Sequence, residues 1–433
     1  MTPAAHISAA IEVIADISAR RRPATDALKD WGLSHRFAGS KDRAAIASLV
    51  YDTLRRKASS AWLMGNEEPR SLVLGMLKLQ KNLDVAAIDD HFSGARFAPE
   101  PLSAEERENL AKDGLKGAPL HVAGDFPEWI EASLVRIFGD EVEAEMQALT
   151  HRAPLDLRVN TLKANRDDVN AALAHLALEP TSHSPVGLRA IPAENRRGPA
   201  VQSEPEYIKG EIEIQDEGSQ LAALLSAVHA GEQVVDLCAG GGGKTLALAA
   251  QMNNGGQIYA SDSDQRRLAP IHARLERAGV RNVQVRTPRG GADAVTDLDG
   301  KIDCVLVDAP CTGTGTWRRN PDAKWRLRPG SLSVRVNDQA VVLDRAAQLV
   351  KPEGRIVYIT CSVLPEENDE SVAAFLERSP EFKSVPAGEV LERALLSRLE
   401  PVFRKTEHGL QMSPLKTGTD GFYVSVLERR AKK

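Results

Sequence analysis

The chain has 433 residues, a length that suggests two or three domains, and its 42% hydrophobic and 27% charged residues are ordinary for a globular protein. Its 55 Lys and Arg residues against 60 Asp and Glu give a net charge of −5, which excludes a uniformly basic nucleic-acid coat but not a local basic groove. The 4 cysteines are too few for a disulfide scaffold. Because we find no signal-peptide pattern and no apolar run of about 18 residues, we expect a cytoplasmic protein without a membrane partner.

The first part of the chain shows helical periodicity. Apolar residues recur at helical spacing from Ile7 to Ile17 and from Ile46 to Leu54. A segment rich in Pro, Gly and charge extends from Gly94 to Phe126 and contains the capping-box pattern of Ser103 and Glu106. We therefore predict an all-α domain over residues 1–140.

The pattern changes after this domain. A strand-like Asp156–Thr161, a helix near 165–176 and a strand-like Val186–Ile191 predict a small α+β unit over residues 141–214. From residue 215 to 433 short apolar runs alternate with helical stretches, which predicts an α/β fold with a Rossmann-like, mostly parallel sheet. These runs are Gln233–Leu237, Gln257–Ser261, Val283–Arg286, Cys304–Val307, Arg355–Thr360 and Phe422–Val426.

A glycine-rich turn follows the first of these runs. It consists of Cys238, Ala239, Gly240, Gly241, Gly242, Gly243 and Lys244. Such a turn lets the backbone approach a ligand, and Asp262, about 20 residues further on, has the spacing of a carboxylate that binds ribose hydroxyls.

Three ligands are compatible in principle with a glycine turn at the end of a strand. A Walker A phosphate loop fails because Cys238 stands where its first glycine is needed, and a dinucleotide fingerprint fails because its third glycine is missing. An S-adenosylmethionine site remains, beside the simpler interpretation that the glycine turn binds nothing.

Two later apolar runs are followed by cysteine. Cys311 comes shortly after Asp308, and Cys361 comes directly after Thr360. Because ligands bind at the carboxyl ends of strands in an open α/β sheet, both thiols are predicted at the edge that carries the glycine turn. Cys304 opens its strand and is interpreted as a core residue.

Two thiols beside a methyl donor suit methylation of cytosine at carbon 5. That carbon is a poor nucleophile, but addition of a thiolate to carbon 6 makes the ring an enamine whose carbon 5 attacks a methyl sulfonium. The carbon 5 proton must then be removed and the thiol expelled, which a second group can assist. Inert packing of either cysteine is the simpler alternative.

Several segments resemble the bacterial 16S ribosomal RNA cytosine-5 methyltransferases of the Sun/Fmu type, within the RNA 5-methylcytosine methyltransferase family. The helical N-terminus, with Asp42-Arg43 and Leu54-Arg-Arg56, is similar to the NusB-like RNA-binding domain of the ribosomal members. The other matching segments are Asp308–Gly315, Arg318–Trp325, Thr360–Ser362, Gly418–Tyr423, Arg158–Lys163 and Gln215–Ser219.

This resemblance implies roles for single residues. It implies that Cys361 is the nucleophile, that Cys311 assists product release, and that the turn from Cys238 to Lys244 binds S-adenosylmethionine. It further implies that Asp262 holds the cofactor ribose and that Asp308 lies between cofactor and target base, with Lys244 nearby.

The chain departs from the family pattern at two places. Glycines 240 and 241 replace the alanine and proline that the family usually has in the turn, which adds backbone freedom without removing the site. The stretch that follows the third strand, Arg286 to Gly291 with Arg289 at its centre, lacks the usual aspartate that meets the adenine. The first acid is Asp293, and we assign no residue to the adenine.

The segment after Cys311 is basic and aromatic, which predicts contact with the phosphates and unpaired bases of RNA. The residues concerned are Arg318, Arg319, Lys324 and Arg326, with Trp317 and Trp325 between them. The alternative is a solvated basic face with the tryptophans packed inward. We expect a monomer that acts on RNA, with ribosomal RNA as the preferred substrate and transfer RNA as the alternative. We expect no metal site, because the 10 histidines show no ligand spacing.

Two other classes of protein were considered. A non-catalytic RNA-binding or ribosome-assembly factor would need neither Cys311 nor Cys361. An NAD-dependent dehydrogenase would need a better dinucleotide fingerprint. Binding of S-adenosylmethionine separates these classes from a methyltransferase.

Overall fold

The computed structural model describes residues 1–191, 198–288 and 293–431, and the chain divides into two compact units. The first unit is built from Met1–Ala153 together with the distant segment Trp317–Leu327. The second contains Pro154–Ile191, Gly198–Thr316 and the chain from Arg328 onward. None of the helices in the described residues has the length and apolarity needed to cross a membrane. The division at residues 140 and 214 stays a prediction.

The first unit is helical, as the periodicity of the sequence predicts. Its core contains buried Ile14 and Ile46, which stand on the two predicted apolar faces, together with buried Leu72. The predicted capping box is present, since Ser103 Oγ accepts from Glu106 N at 3.1 Å and the Glu106 carboxylate accepts from Ser103 N at 2.8 Å. The α-helices are Pro3–Arg20, Ala24–Ser34, Ser40–Arg55, Lys57–Met64, Pro69–Leu79, Val85–His91, Ala104–Ala111, Leu120–Ala123, Glu131–Phe138, Val142–Ala148 and Pro321–Arg326.

The second unit begins with a small antiparallel sheet. Its strands are β1 (Leu155–Val159), β2 (Glu179–Pro180), β3 (Gly187–Ala190) and β4 (Ile212–Ile214), in the order β2-β3-β1-β4. Strand β1 pairs antiparallel with both β3 and β4, and its residues Leu157 and Val159 are buried. The predicted α+β character of this region is confirmed.

A larger sheet forms the centre of the second unit. Its strands are β5 (Gln233–Asp236), β6 (Gln257–Ser261), β7 (Val283–Arg286), β8 (Ile302–Asp308), β9 (Val350–Thr360), β10 (Phe382–Ser384), β11 (Arg404–Lys405), β12 (Leu410–Gln411) and β13 (Tyr423–Arg429). The order is β11-β12-β13-β9-β8-β5-β6-β7, and β10 pairs with β13. Strands β5 to β9 run parallel, whereas β13 pairs antiparallel with β9.

Helices cover both faces of this sheet, because its central strands are apolar on both sides. Cys304 and Leu306 pack into one core, whereas Val305 and Val307 pack into the other. The α-helices of the unit are Arg166–Ala172, Pro205–Ile208, Glu217–Leu224, Gly243–Gln251, Gln265–Leu268, Ile271–Ala278, Pro329–Leu349, Asp369–Arg378, Ala387–Arg393 and Pro414–Thr417. The predicted α/β class is confirmed, and Cys304 is a core residue as expected.

Candidate active site

The order of the parallel strands creates a crevice. The chain moves outward from β5 in one direction through β6 and β7, and in the other through β8 and β9, so the order reverses between β5 and β8. Ligands of open α/β sheets bind outside the carboxyl ends of the strands at such a reversal. A cavity of about 470 Å³ lies there, a size that accommodates a nucleoside-sized ligand. It is lined by Leu237, Cys238, Ser261, Asp262, Ser263, Arg267, Pro288, Asp293, Ala294, Pro310, Val341, Val342 and Arg345.

The glycine turn forms one wall of this crevice. Gly242 has φ of +82°, and a Cβ there would lie 2.5 Å from Ile271 Cγ1, so only glycine fits. Gly240 N donates to the Asp262 carboxylate at 2.9 Å. Arg274 donates to the Gly241 carbonyl at 2.6 Å and to Glu213 at 2.9 Å, which ties the turn to β4 of the small sheet.

Carboxylates converge on this wall. Asp236, Asp262 and Asp308 all raise the pKa of the Cys238 thiol, and burial raises it most. Cys238 therefore stays protonated and lines the cavity. The cavity lining itself contains two carboxylates, Asp262 and Asp293, and two arginines, Arg267 and Arg345. Carboxylates at the wall suit a ligand that carries cationic groups, so the residues present fit S-adenosylmethionine, which has a sulfonium and an ammonium group.

Asp236 is the most confined of these carboxylates, with 1% of its surface exposed. Its Oδ2 accepts from Thr245 Oγ1 at 2.7 Å, whereas Oδ1 has no hydrogen-bond partner among the described residues. Burial raises the pKa of Asp236 to about 7. The sequence alone does not indicate that Asp236 is buried, although the apolar run around it continues through Leu237.

Lys244 and Asp308 connect the glycine turn with the end of β8. Lys244 Nζ lies 2.7 Å from Asp308 Oδ2 and 5.1 Å from the centre of the Phe422 ring. The Lys244 side chain is only 8% exposed, whereas that of Asp308 is 35% exposed. The pair thus presents its carboxylate to the open side of the site.

The two predicted thiols meet at the same edge. The Sγ atoms of Cys311 and Cys361 are 3.3 Å apart, within hydrogen-bond distance for sulfur, and neither forms a disulfide. The hydrogen bond with Cys361 raises the pKa of Cys311 well above that of a free thiol, and burial adds to this.

Backbone and hydroxyl contacts fix the loops that carry these thiols. Gly315 N donates to the Cys361 carbonyl at 3.0 Å, and Thr314 Oγ1 lies 2.9 Å from Ser362 Oγ. Gly315 also lies against the backbone of Gly421. A Cβ on Gly315 would lie 2.0 Å from the Gly421 carbonyl oxygen, so this approach requires glycine. The segments Asp308–Gly315, Thr360–Ser362 and Gly418–Tyr423 thus form one connected structure around the thiol pair.

A buried carboxylate next to this pair was not predicted. Glu367 has no exposed surface and accepts hydrogen bonds from the backbone N–H and the hydroxyl of Thr312. A signal for it exists in retrospect: Glu367 lies only six positions after Cys361, in the polar stretch that follows a buried strand.

The basic segment after Cys311 differs from the expectation. Lys324 is 2% exposed and Arg318 is 5% exposed, so neither side chain is at the surface, and Trp317 is buried as well. The segment belongs to the first unit, where Lys324 Nζ donates to the Arg55 carbonyl at 3.3 Å and Trp325 Nε1 to the Leu54 carbonyl at 2.6 Å.

Burial lowers the pKa of Lys324 to about 8, with the Asp125 carboxylate opposing that effect. Of the four residues predicted to contact RNA, Arg326 is exposed and Arg319 is partly exposed. The interior position of Lys324 and Arg318 fits neither phosphate contact by these two side chains nor a fully solvated basic face. Trp317 packs inward, as the alternative states, and RNA contact by Arg319 and Arg326 stays a prediction.

The region after β7 is described only in part. Arg289 and the two following glycines lie outside the described residues. Asp293 lines the cavity and forms an ion pair with Arg345, which lines it too.

Comparison with known proteins agrees with this geometry. The family model of the 16S rRNA methyltransferase RsmB/F matches residues 223–428, and that of the RsmF/B-like ferredoxin-like domain matches residues 126–191. The ribosomal RNA small subunit methyltransferase B of Klebsiella pneumoniae is 34% identical over 420 residues, covering 90% of this chain and 91% of that protein. A probable counterpart from Bacillus subtilis is 28% identical, with 90% and 91% covered.

A solved structure shares the fold of the whole chain. The crystal structure of PH0851 is 27% identical, covers 99% of each chain and superposes with a TM-score of 0.70. The strand order, the glycine turn and the carboxylate-edged crevice define the class of S-adenosylmethionine-dependent methyltransferases. Within that class, the chain belongs to the 16S rRNA methyltransferase RsmB/F family.

The raised pKa of Asp236 predicts a dependence of stability on pH. Its ordinary value is 3.8 and its value in the folded protein is about 7, so the folded state binds a proton more tightly than the unfolded state. The resulting stabilisation is complete below about pH 4 and is lost as the pH rises through about 7. Asp236→Asn keeps an acceptor for Thr245 and cannot ionise.

We expect the melting temperature of wild type to fall relative to that of Asp236→Asn as the pH rises from 4 to 7. The difference between the two melting temperatures should change by several degrees in favour of the variant. Thermal unfolding of both proteins without cofactor, in buffers across this range, measures the difference. Parallel curves for the two proteins would contradict the prediction.

Proposed function

We propose that this protein forms 5-methylcytosine in 16S ribosomal RNA through a covalent adduct between Cys361 and carbon 6 of the target cytosine. The observation that carries the proposal is the pair of thiols, Cys311 and Cys361, 3.3 Å apart at the ligand-binding edge of a methyltransferase sheet. A methyltransferase that acts on a nitrogen or oxygen atom has no need of such a pair, because those atoms carry their own lone pair.

The covalent step activates carbon 5. The Cys361 thiolate donates an electron pair to carbon 6, and the electrons of the ring double bond move to make carbon 5 nucleophilic. When bound, S-adenosylmethionine supplies the electrophilic methyl group that carbon 5 takes up. A base then removes the carbon 5 proton, the electron pair of that bond restores the ring double bond, and the carbon 6–sulfur bond breaks to return the Cys361 thiolate.

The neighbouring thiol supports this division of roles. When Cys361 is the thiolate, the Cys311 S–H lies 3.3 Å away and can donate to it, which stabilises the negative charge before attack and again as that sulfur leaves. Cys311 is thereby placed to assist release of the methylated base. The choice of Cys361 rather than Cys311 as the nucleophile comes from the family resemblance of the Thr360–Ser362 segment, and the distance between the thiols is compatible with it.

The cofactor site follows from the crevice. The turn from Cys238 to Lys244 would border the cofactor, and Asp262 at the end of β6 would hold its ribose, since Asp262 lines the cavity. Asp308 would lie between cofactor and base, with its charge balanced by Lys244.

The RNA substrate is inferred from the relatives, which are named as ribosomal RNA small subunit methyltransferases. A cytosine attacked at carbon 6 must leave its stack, so the target base enters the site in an extruded or unpaired state. Arg326 and the partly exposed Arg319 are the predicted residues that remain placed to meet phosphates. We place this reaction in the cytoplasm and assign it to a monomer.

Removal of the nucleophile should abolish catalysis. We expect Cys361→Ala to lower methyl transfer by at least about a thousandfold while S-adenosylmethionine binding is retained, because the cavity residues are unchanged. Methyl incorporation into RNA and calorimetric cofactor binding measure the two effects. Cys304→Ala is a matched control, since that thiol is buried in the core away from the site. Normal turnover by Cys361→Ala would refute the assignment.

Removal of the second thiol should arrest the reaction later. We expect Cys311→Ala to leave RNA covalently attached to Cys361, because release is impaired after the carbon–sulfur bond has formed. A slowly migrating protein–RNA band on denaturing gels, absent from a Cys311→Ala/Cys361→Ala double variant, is the expected result. Normal turnover without such a band would show that Cys311 has no part in release.

The product can be identified directly. Bisulfite sequencing of total RNA from cells with and without the protein should show one or more protected cytosines in 16S ribosomal RNA that are lost with the protein. Protection lost only from transfer RNA would overturn the proposed substrate, and no change at any cytosine would overturn the proposed product.

A further inference from the structure

The Glu367 carboxylate occupies a fully buried position beside the thiol pair and holds the residue that follows Cys311. Its Oε1 accepts from Thr312 N at 2.7 Å, and its Oε2 accepts from Thr312 Oγ1 at 2.5 Å. Burial of an ionisable group is costly unless such hydrogen bonds compensate it. Two short bonds to a single residue therefore indicate a dedicated contact.

The other side of Cys311 is held by the same assembly. Gln339, on the helix Pro329–Leu349 and with no exposed surface, donates from Nε2 to the Pro310 carbonyl at 3.0 Å and to Glu367 Oε1 at 3.2 Å. Glu367 thus contacts Thr312 directly and is linked through Gln339 to Pro310. Both neighbours of Cys311 in the chain are fixed by one buried group.

Glu367 is itself anchored to the strand that carries the other thiol. The Tyr358 hydroxyl, on β9, donates to the Glu367 carbonyl at 2.7 Å, and that tyrosine is fully buried. The short helical turn Pro365–Glu367 begins four residues after Cys361. The carboxylate is therefore rigidly connected to the Cys361 side of the site and reaches across to the Cys311 side.

We propose that Glu367 is a positioning residue that holds the Cys311 thiol against Cys361 and thereby sets the rate at which the methylated RNA is released. This inference rests on the proposed covalent function and names a residue on which its last step depends. The negative charge of Glu367 also favours the protonated form of Cys311, since it adds to the rise in the pKa of that thiol.

The test compares Glu367→Ala, Glu367→Gln and Thr312→Val with Cys311→Ala. Denaturing gels give the fraction of protein joined to RNA, single-turnover assays give the release rate, and calorimetry gives cofactor affinity. We expect Glu367→Ala to slow release by about ten- to a hundredfold, the effect of losing one or two hydrogen bonds to a charged group, and to leave cofactor affinity unchanged. Glu367→Gln keeps an acceptor for Thr312 N and should recover part of the rate.

A double variant separates positioning from a general loss of structure. If Glu367 acts only through Cys311, Glu367→Ala adds nothing to the release defect in a Cys311→Ala background. Glu232→Ala is the control for loss of a buried carboxylate, because Glu232 pairs with Arg355 at the opposite, amino end of β5. It should destabilise the protein without accumulating adduct.

The outcomes discriminate between the proposals. Wild-type release by Glu367→Ala, or an additive defect in the Cys311→Ala background, overturns the positioning role while the covalent function stands. If Glu367→Ala does not fold, Thr312→Val provides the test, because it removes only the hydrogen bond from the Thr312 hydroxyl to Glu367. Slowed release of RNA by Thr312→Val supports the positioning role of Glu367, and normal release overturns it. If Cys311→Ala itself forms no adduct and turns over normally, the proposed function fails as well.

Discussion

The parallel pairing of β8 with β9 is the constraint on which the rest of the site depends. The two strands are in register from Cys304 to Asp308, and Ala309 N still donates to the Ile359 carbonyl at 2.8 Å beyond the last paired residue. Both strands therefore end at nearly the same height on the sheet, and the loops that leave them are forced into contact. Two cysteines that are 50 residues apart in the chain reach 3.3 Å because of this shared end.

A second consequence of the sheet is the separation of two chemical environments along one edge. On the β5 and β6 side, carboxylates crowd around the glycine turn and keep Cys238 protonated. On the β9 side, the charge of the Glu367 carboxylate is screened by hydrogen bonds from Thr312 and Gln339. The Lys244–Asp308 pair stands between these environments. In the proposed mechanism, this separation allows a cationic methyl donor and a thiolate to occupy neighbouring places without either being neutralised by the wrong partner.

Much of this arrangement could be predicted, because parallel strands buried on both faces produce apolar runs and their carboxyl ends carry the ligand. The bounds of β6 and β7 agree with the predicted runs. The same rule places Cys311 and Cys361 at one edge of the sheet, but their contact also requires that β8 and β9 are neighbours, which the sequence does not show. The short strands β10 to β12 were missed, since two or three residues carry no periodicity. Glu367 was missed because its partners come from separate parts of the chain. Lys324 was interpreted as exposed because composition cannot reveal that Asp125 and a backbone carbonyl accompany it into the interior.

The membership of Trp317–Leu327 in the helical unit has a consequence for how the protein can be divided. Trp325 packs against the apolar core formed by the N-terminal helices, and Asp322 accepts from Ala24 N at 3.3 Å, where the second helix begins. A fragment that stops at residue 153 would expose the part of that core covered by Trp325 and would leave the Ala24 N–H without the Asp322 carboxylate. The helical unit is therefore not a detachable module: its folding is completed only by residues that the ribosome adds more than 160 positions later.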